Sequence, residues 1–136
     1  MIRVLALGDS YTVGEGVLAH QRWVEQWALR QRAQSVPIAA PVKVIAQTGW
    51  TTDELLQAIH QGQDLGSWDR VTLLIGVNNQ YRGRAVEQYR HDLKSLLQIA
   101  LTATGKSEHV QMLSIPDWGQ TPFGHASGRN LVEVSA

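Results

Sequence analysis

A serine that directly follows an apolar run is the residue of this chain with the clearest chemical potential. Ser10 is preceded by Gly8, Asp9 and the run Ile2–Leu7, which is typical of a strand covered on both faces. In open α/β sheets, ligands bind at the carboxyl ends of the strands. We therefore expect the Ser10 hydroxyl at a ligand-binding edge, where it can act as the nucleophile of acyl transfer.

Two further polar segments end predicted strands in the same way. The segment that contains Gly49 follows the run Val42–Ala46, and the segment that contains Asn78 follows the run Val71–Ile75. Successive parallel strands would bring both segments to the edge that carries Ser10.

Acyl transfer also needs hydrogen-bond donors aimed at the oxygen that becomes negatively charged in the transition state. Ser10 offers its backbone N–H, Gly49 an N–H that no side chain screens, and Asn78 a carboxamide. The loss of one such donor typically lowers turnover by about a hundredfold to a thousandfold. The three segments thus supply a nucleophile and three donors.

Strand-like apolar runs alternate with helical patterns along the chain, which predicts an α/β fold with a parallel sheet and right-handed crossovers. The predicted strands are Ile2–Leu7, Val42–Ala46, Val71–Ile75 and Val110–Ile115. The predicted helices are Gln21–Gln34, Thr52–His60 and Arg84–Ala103. A capping box of Thr51 and Glu54 is expected to begin the second helix, and Gly62 and Gly105 are expected to end the second and third.

The composition is that of an ordinary globular protein of one domain. The chain has 136 residues, 12 acidic and 12 basic side chains, a formal net charge of zero and no cysteine. Zero net charge gives no support for nucleic acid or an anionic membrane as the main partner. The lack of cysteine excludes disulfides, thiolate catalysis and cysteine-bound metals. No apolar stretch approaches a membrane span, and the first strand begins at Ile2 without room for a signal peptide, so we expect a cytoplasmic protein.

Together, the three segments resemble the GDSL, or SGNH, family of hydrolases. The resemblance runs from Met1 to about Phe123. The matching residues are Gly8, Asp9 and Ser10 of the nucleophile block, Gly49 of the glycine block, and Gly76 and Asn78 of the asparagine block.

The resemblance implies a flavodoxin-like α/β/α fold of three layers, with a parallel sheet in the order 2-1-3-4. It also implies hydrolysis of carboxylic esters or thioesters through an acyl-serine intermediate, with no cofactor and no metal. Ser10 would be the nucleophile, activated by a histidine, and the oxyanion hole would consist of the Ser10 N–H, the Gly49 N–H and the Asn78 side chain. The implied partner is a small-molecule ester substrate.

The chain departs from the family in a respect that bears on the mechanism. The family's fourth block, Asp-x-x-His, supplies the base and the carboxylate that orients it. The histidines of this chain are His20, His60, His91, His109 and His125, and the residues three positions before them are Val17, Gln57, Gln88, Lys106 and Pro122. None of those preceding residues is acidic, and the family's fifth strand and last helix are missing as well. We therefore interpret residues 1–136 as a single SGNH-like domain that is incomplete at its C-terminus.

Two functions therefore remain open. In the first, the chain is an esterase whose histidine base is His125 or His20, belongs to another subunit, or lies in sequence beyond Ala136. In the second, the chain is a catalytically impaired remnant that binds acyl ligands. A phosphate- or flavin-binding module is disfavoured, because the segment after Ser10 lacks the Gly-Lys-Ser/Thr ending of a phosphate loop and carries Glu15, which would repel phosphate.

Residues near these segments have predicted roles as well. Asp9 is expected to brace the loop of Ser10, while Trp50 and Trp118 are expected to line an acyl pocket. The remaining predictions place Trp23 and Trp27 in the core, Arg82 and Arg84 in solvent, and His60, His91 and His109 at the surface.

The fourth predicted strand, Val110–Ile115, would form an edge of the sheet because the family's fifth strand is missing. An uncovered apolar edge invites pairing with another chain. We therefore expect a homodimer or a domain-swapped assembly.

Overall fold

The computed structural model describes residues 1–62 and 64–117. Their sheet has four parallel strands in the order β2-β1-β3-β4. The strands are β1 (Val4–Gly8), β2 (Lys43–Ala46), β3 (Arg70–Leu74) and β4 (Val110–Met112). The predicted fold class and strand order are confirmed, although β4 ends at Met112 and not at Ile115.

Within the described residues, five α-helices connect or follow the strands. They are α1 (Ser10–Val13), α2 (Trp23–Ala33), α3 (Thr52–Gln61), α4 (Val77–Tyr81) and α5 (Val86–Thr104), with 3-10 turns at Ala19–Gln21 and Ser107–His109. The three predicted helices are confirmed with small shifts at their ends. The short helices α1 and α4 were not predicted, because four or five residues are too few to display an apolar period.

Helices cover both faces of the sheet, so the described residues form three layers. On one face, α3 and α5 enclose a cluster whose largest members are Leu5, Leu7, Leu55, Leu73 and Leu96. On the other face, α2 packs on Val4, Ala6 and Ile38, and its own Val24 and Ala28 belong to the same cluster. Trp23 and Trp27 pack half-buried against this second cluster, which confirms their predicted core role. Each fully buried leucine contributes roughly 1.5–3 kcal/mol, so the two clusters fix the helices on the sheet.

The strands that carry the polar segments end level with one another. Gly8, the last residue of β1, aligns with Ala46 of β2 and with Leu74 of β3. A Cβ atom at Gly8 would lie only 2.7 Å from the Leu74 carbonyl oxygen, so only glycine fits here. The three segments that follow these strands consequently leave the sheet side by side.

The start of α3 is fixed by the predicted capping box. The Thr51 N–H donates to Glu54 Oε1 at 3.1 Å, and the Thr51 hydroxyl donates to the same oxygen at 2.9 Å. The Gly62 N–H bonds to the Ala58 carbonyl at the other end of α3, and Gly105 ends α5 in the left-handed conformation. The bonds between Thr51 and Glu54 determine where the segment between β2 and α3 must turn.

No helix in the described part of the chain combines the length and apolar character needed to cross a membrane. The cytoplasmic location expected from the sequence stays a prediction.

The edge of β4 generates a testable prediction about association. Within residues 1–62 and 64–117, β4 pairs only with β3, and Met112 is 52% exposed. We expect the chain to form concentration-dependent dimers in sedimentation velocity, and Met112→Lys to weaken them because a charge on an edge strand opposes strand pairing. Leu29→Lys, at a residue of α2 that is 65% exposed, is the matched control and should dimerise like the wild type. A wild-type chain that stays monomeric at every concentration would contradict the prediction.

Candidate active site

Ser10 is the first residue of α1, and Asp9 caps this helix. The Asp9 side chain accepts a hydrogen bond from the Tyr11 N–H at 3.0 Å, which confirms that Asp9 braces the loop. Because Asp9 is the cap, the Ser10 hydroxyl has no capping role. Neither the hydroxyl nor the N–H of Ser10 is hydrogen-bonded to another described residue, and the side chain is half-buried.

Gly49 lies in the turn between β2 and α3, in a conformation that favours glycine. Its φ is +87°, where a side chain would be strained. The Gly49 carbonyl accepts a hydrogen bond from Arg82 Nη2 at 2.6 Å. Its N–H has no partner among the described residues and remains available as a donor.

Asn78 lies in the first turn of α4 and contacts the Gly49 segment directly. Its Nδ2 donates to the Trp50 carbonyl at 2.9 Å. A carbonyl oxygen can only accept, so this bond fixes which way round the amide group sits. One N–H of the amide is used in this way, and the second remains.

The turn before Asn78 is also shaped by a glycine. Gly76 has a φ of +132°, and a Cβ atom there would lie 2.6 Å from Tyr89 Cε2 and 2.7 Å from Ile115 Cδ1. The aromatic ring of Tyr89 on α5 therefore occupies the space that any other residue would need. This close packing sets the direction in which α4 leaves β3.

A buried polar cluster, which we call the Thr52 network, lies behind these two segments. The Thr52 N–H donates to Asn79 Oδ1 at 3.0 Å, and Asn79 Nδ2 donates to Thr52 Oγ1 at 2.8 Å. Thr52 Oγ1 in turn donates to Asp92 Oδ2 at 2.8 Å, and Gln88 Nε2 donates to Asp92 Oδ1 at 3.0 Å. This network was not predicted, although Asp92 lies on the same helical face as the apolar residues Tyr89 and Leu96, which indicates that its carboxylate is buried.

Arg82 and Arg84 are exposed, as predicted, and each also forms an ion pair. Arg82 Nη1 lies 2.9 Å from Glu54 Oε1, and Arg84 Nη1 lies 2.6 Å from Asp53 Oδ1. The turn after α4 faces the acidic first turn of α3, so each guanidinium meets a carboxylate. Hydrogen bonds from the Thr51 hydroxyl and N–H lower the pKa of Glu54, and Arg82 lowers it further.

The carboxyl group beside Ser10 is buried without a cation. Asp9 is 1% exposed, and its Oδ2 has no hydrogen-bond partner within the described residues. Burial raises the pKa of Asp9 to about 6, and the hydrogen bond from the Tyr11 N–H only partly opposes this effect. Asp9 therefore holds a proton below about pH 6.

No described histidine is hydrogen-bonded to Ser10, Gly49 or Asn78. His20 lies in the Ala19–Gln21 turn and lines a cavity with Pro41 and Val42, which precede β2 and lie away from its Gly49 end. The other described histidines are His60 in the last turn of α3, the exposed His91 of α5, and His109 just before β4. His125 and Trp118 lie outside the described residues. Trp50 packs half-buried against the cluster under α3 and α5, so at least part of its ring serves the core.

The site thus consists of one serine and several unpaired N–H donors at the end of a parallel sheet. Within residues 1–62 and 64–117, no group of three or more His, Asp or Glu side chains is arranged to hold a metal ion. Strand order brings Ser10 between the segments of Gly49 and Asn78, and the Trp50 carbonyl joins the latter two directly.

One protein-family model matches almost the whole chain. This is the model of the GDSL-like lipase/acylhydrolase family, and it matches residues 6–136. Among curated proteins, none matches the chain.

Solved structures share the fold at low sequence identity. The crystal structure of TesA is 24% identical, with a TM-score of 0.74, and the match covers 98% of this chain and 68% of TesA. AlinE4, an SGNH-hydrolase family esterase, is 20% identical with a TM-score of 0.63, and the match covers 85% of this chain and 61% of AlinE4. The psychrotrophic esterase EstA from Pseudoalteromonas sp. is 17% identical with a TM-score of 0.62, and the match covers 99% of this chain and 72% of EstA. The chain therefore matches between 61% and 72% of the length of these three structures.

Asp9→Asn is expected to remove a pH dependence of stability. The folded protein keeps the Asp9 proton up to about pH 6, whereas the unfolded chain loses it near the ordinary pKa of 3.8. Between these values the folded state binds more protons, so the free energy of unfolding falls as the pH rises, by on the order of 2–3 kcal/mol. Urea denaturation from pH 4 to pH 7 should show this fall in the wild type and lack it in Asp9→Asn, where the amide oxygen still caps α1. An equal fall in both proteins would argue against a buried, titrating Asp9.

Proposed function

The chain belongs to the GDSL-like lipase/acylhydrolase family, and we propose that it cleaves carboxylic esters or thioesters of small or medium acyl groups at Ser10. One observation carries this proposal. Ser10 and Gly49 each keep a backbone N–H without a partner among the described residues, and the Asn78 amide keeps a second N–H. Acyl transfer requires a hydroxyl that can attack the carbonyl carbon, and unpaired donors that can bind the oxyanion of the tetrahedral intermediate.

The reaction would run in two halves. Ser10 Oγ attacks the ester carbonyl carbon and passes its proton to a base, and the carbonyl oxygen becomes an oxyanion held by the three donors. Collapse of this intermediate expels the alcohol or thiol, which takes the proton from the base, and leaves an acyl-serine. A water molecule then attacks the acyl carbon with the same base accepting its proton, and the carboxylic acid leaves as Ser10 recovers its hydrogen.

The proton acceptor would be a histidine outside the described residues. The position of His20 beside Pro41 and Val42 does not support it as the base, which leaves His125 as the candidate within the printed sequence. The alternative function is that of an impaired enzyme, which binds acyl ligands at the donors or depends on a histidine from another chain.

Asp9 takes no part in the proposed proton transfer. Its carboxyl group is buried and accepts a hydrogen bond from the Tyr11 N–H, so it serves as the brace of the nucleophile.

Ser10→Ala is the direct test of this function. With p-nitrophenyl acetate as substrate, we expect the wild type to hydrolyse the ester at least about a hundredfold faster than Ser10→Ala, because a serine nucleophile cannot be replaced by the donors alone. Ser95→Ala, which removes an exposed serine hydroxyl of α5, is the matched control and should retain full activity. Equal rates for the wild type and Ser10→Ala would overturn the proposal.

The same assay separates the two functions by adding imidazole. A chain with its own base should show Ser10-dependent hydrolysis in buffer alone, and His125→Ala should abolish it. An impaired chain should gain Ser10-dependent hydrolysis only when imidazole supplies the missing base. The Ser10→Ala protein measured at each imidazole concentration gives the background to subtract.

A further inference from the structure

We propose that Thr52 and Asp92 are positioning residues, which hold the segments of Gly49 and Asn78 together as one donor site. The effect on catalysis rests on the proposed function. The claim that the two segments are held together rests on the Thr52 network alone. Neither residue faces the substrate, because Thr52 is 0% exposed and Asp92 is 4% exposed.

The direction of each hydrogen bond in the network is dictated by chemistry. The Thr52 N–H can only donate, so Asn79 must turn its Oδ1 toward it. Asn79 Nδ2 then donates to Thr52 Oγ1, which leaves the Thr52 hydroxyl hydrogen to be accepted by Asp92. The network has one consistent arrangement of hydrogens and therefore one preferred geometry.

The network joins three separate parts of the chain. Thr52 begins α3, three residues after Gly49, and Asn79 follows Asn78 in α4, while Asp92 belongs to α5. The bonds from Thr52 span 27 residues to Asn79 and 40 residues to Asp92. Any shift of α3 relative to α4 would stretch these bonds, and would also move Gly49 relative to Asn78.

The burial of Asp92 makes the arrangement costly to break. A buried carboxylate needs donors, and Thr52 and Gln88 are the two donors that the described residues bring to Asp92. Loss of the Thr52 hydroxyl would leave Oδ2 of Asp92 and Nδ2 of Asn79 without a partner, although Asn79 Oδ1 would still accept from the Thr52 N–H. The network would then relax, and the donors in front of it would lose their relative placement, which catalysis requires to within about an ångström.

A pair of substitutions at Thr52 tests the proposal. Thr52→Val keeps the shape and removes the hydroxyl, whereas Thr52→Ser keeps the hydroxyl. We expect Thr52→Val to lower kcat for p-nitrophenyl acetate by about tenfold to a hundredfold with KM within about twofold, and Thr52→Ser to stay within about threefold of the wild type. Thr102→Val, which removes a hydroxyl bonded within α5, is the remote control and should leave both constants unchanged.

A second measurement on the same proteins does not depend on activity. In 1H–15N NMR spectra, Thr52→Val should shift or broaden the Gly49 backbone amide and the Asn78 side-chain amide signals, while Thr52→Ser and Thr102→Val should preserve them. Unchanged signals in folded Thr52→Val would overturn the positioning role. Shifted signals with an unchanged, Ser10-dependent kcat would overturn its importance for catalysis.

Two further outcomes remain interpretable. If Thr52→Val does not fold, Asp92→Asn carries the test from the far end of the network, because its neutral amide oxygen accepts a weaker bond from Thr52. We expect the same two signals to shift and kcat to fall about threefold, and no change in either would overturn the proposal.

A rate that is independent of Ser10 would overturn the proposed function, and the NMR result would then decide the positioning role by itself.

Discussion

The two hydrogen bonds between Asn79 and Thr52 are the interaction on which the site depends most. Parallel strands that end level bring the segments of Ser10, Gly49 and Asn78 to one edge of the sheet, but they leave the turns themselves free to move. The Asn79–Thr52 bonds, together with the bond from Asn78 to the Trp50 carbonyl, lock the turn after β2 to the turn after β3. The sheet brings the two turns close together, and these hydrogen bonds fix their relative orientation.

The site concentrates features that would be unfavourable elsewhere in the protein. Asp9 buries a carboxyl group with one unpaired oxygen, Gly49 adopts a positive φ, and two backbone N–H groups lack partners in the described residues. Such costs persist where the surrounding structure enforces them, and they are typical of functional sites. Here the enforcing structure is visible: α1 packs beside β1 and β2, the capping box fixes α3, and the buried carboxylate of Asp92 anchors the Thr52 network.

The sequence was sufficient to predict the fold and to place the segments of Ser10, Gly49 and Asn78 at one edge of the sheet, but not to predict the contacts that support them. Apolar runs that end in Gly8 or before Gly49 and Asn78 are local signals, so the strands and the motif positions follow from them, whereas the strand order came from the resemblance to the family. Arg82 pairs with Glu54 across 28 residues, and Thr52 binds Asp92 across 40 residues. No local pattern reports which distant partner a polar side chain meets, so neither the ion pair of Arg82 nor the hydrogen bonds of Thr52 were predicted. Helices as short as α1 and α4 also leave no periodic trace.

The central claim is that Ser10 is a nucleophile served by the donors around it, and covalent labelling tests it most directly. The wild-type chain is incubated with an alkyl fluorophosphonate, which phosphonylates activated serines, and the intact protein and its peptides are weighed by mass spectrometry. We predict a single adduct, located on Ser10, and much slower labelling of Thr52→Val than of Thr52→Ser. An unlabelled chain, or an adduct on another residue with Ser10 unmodified, would contradict the account.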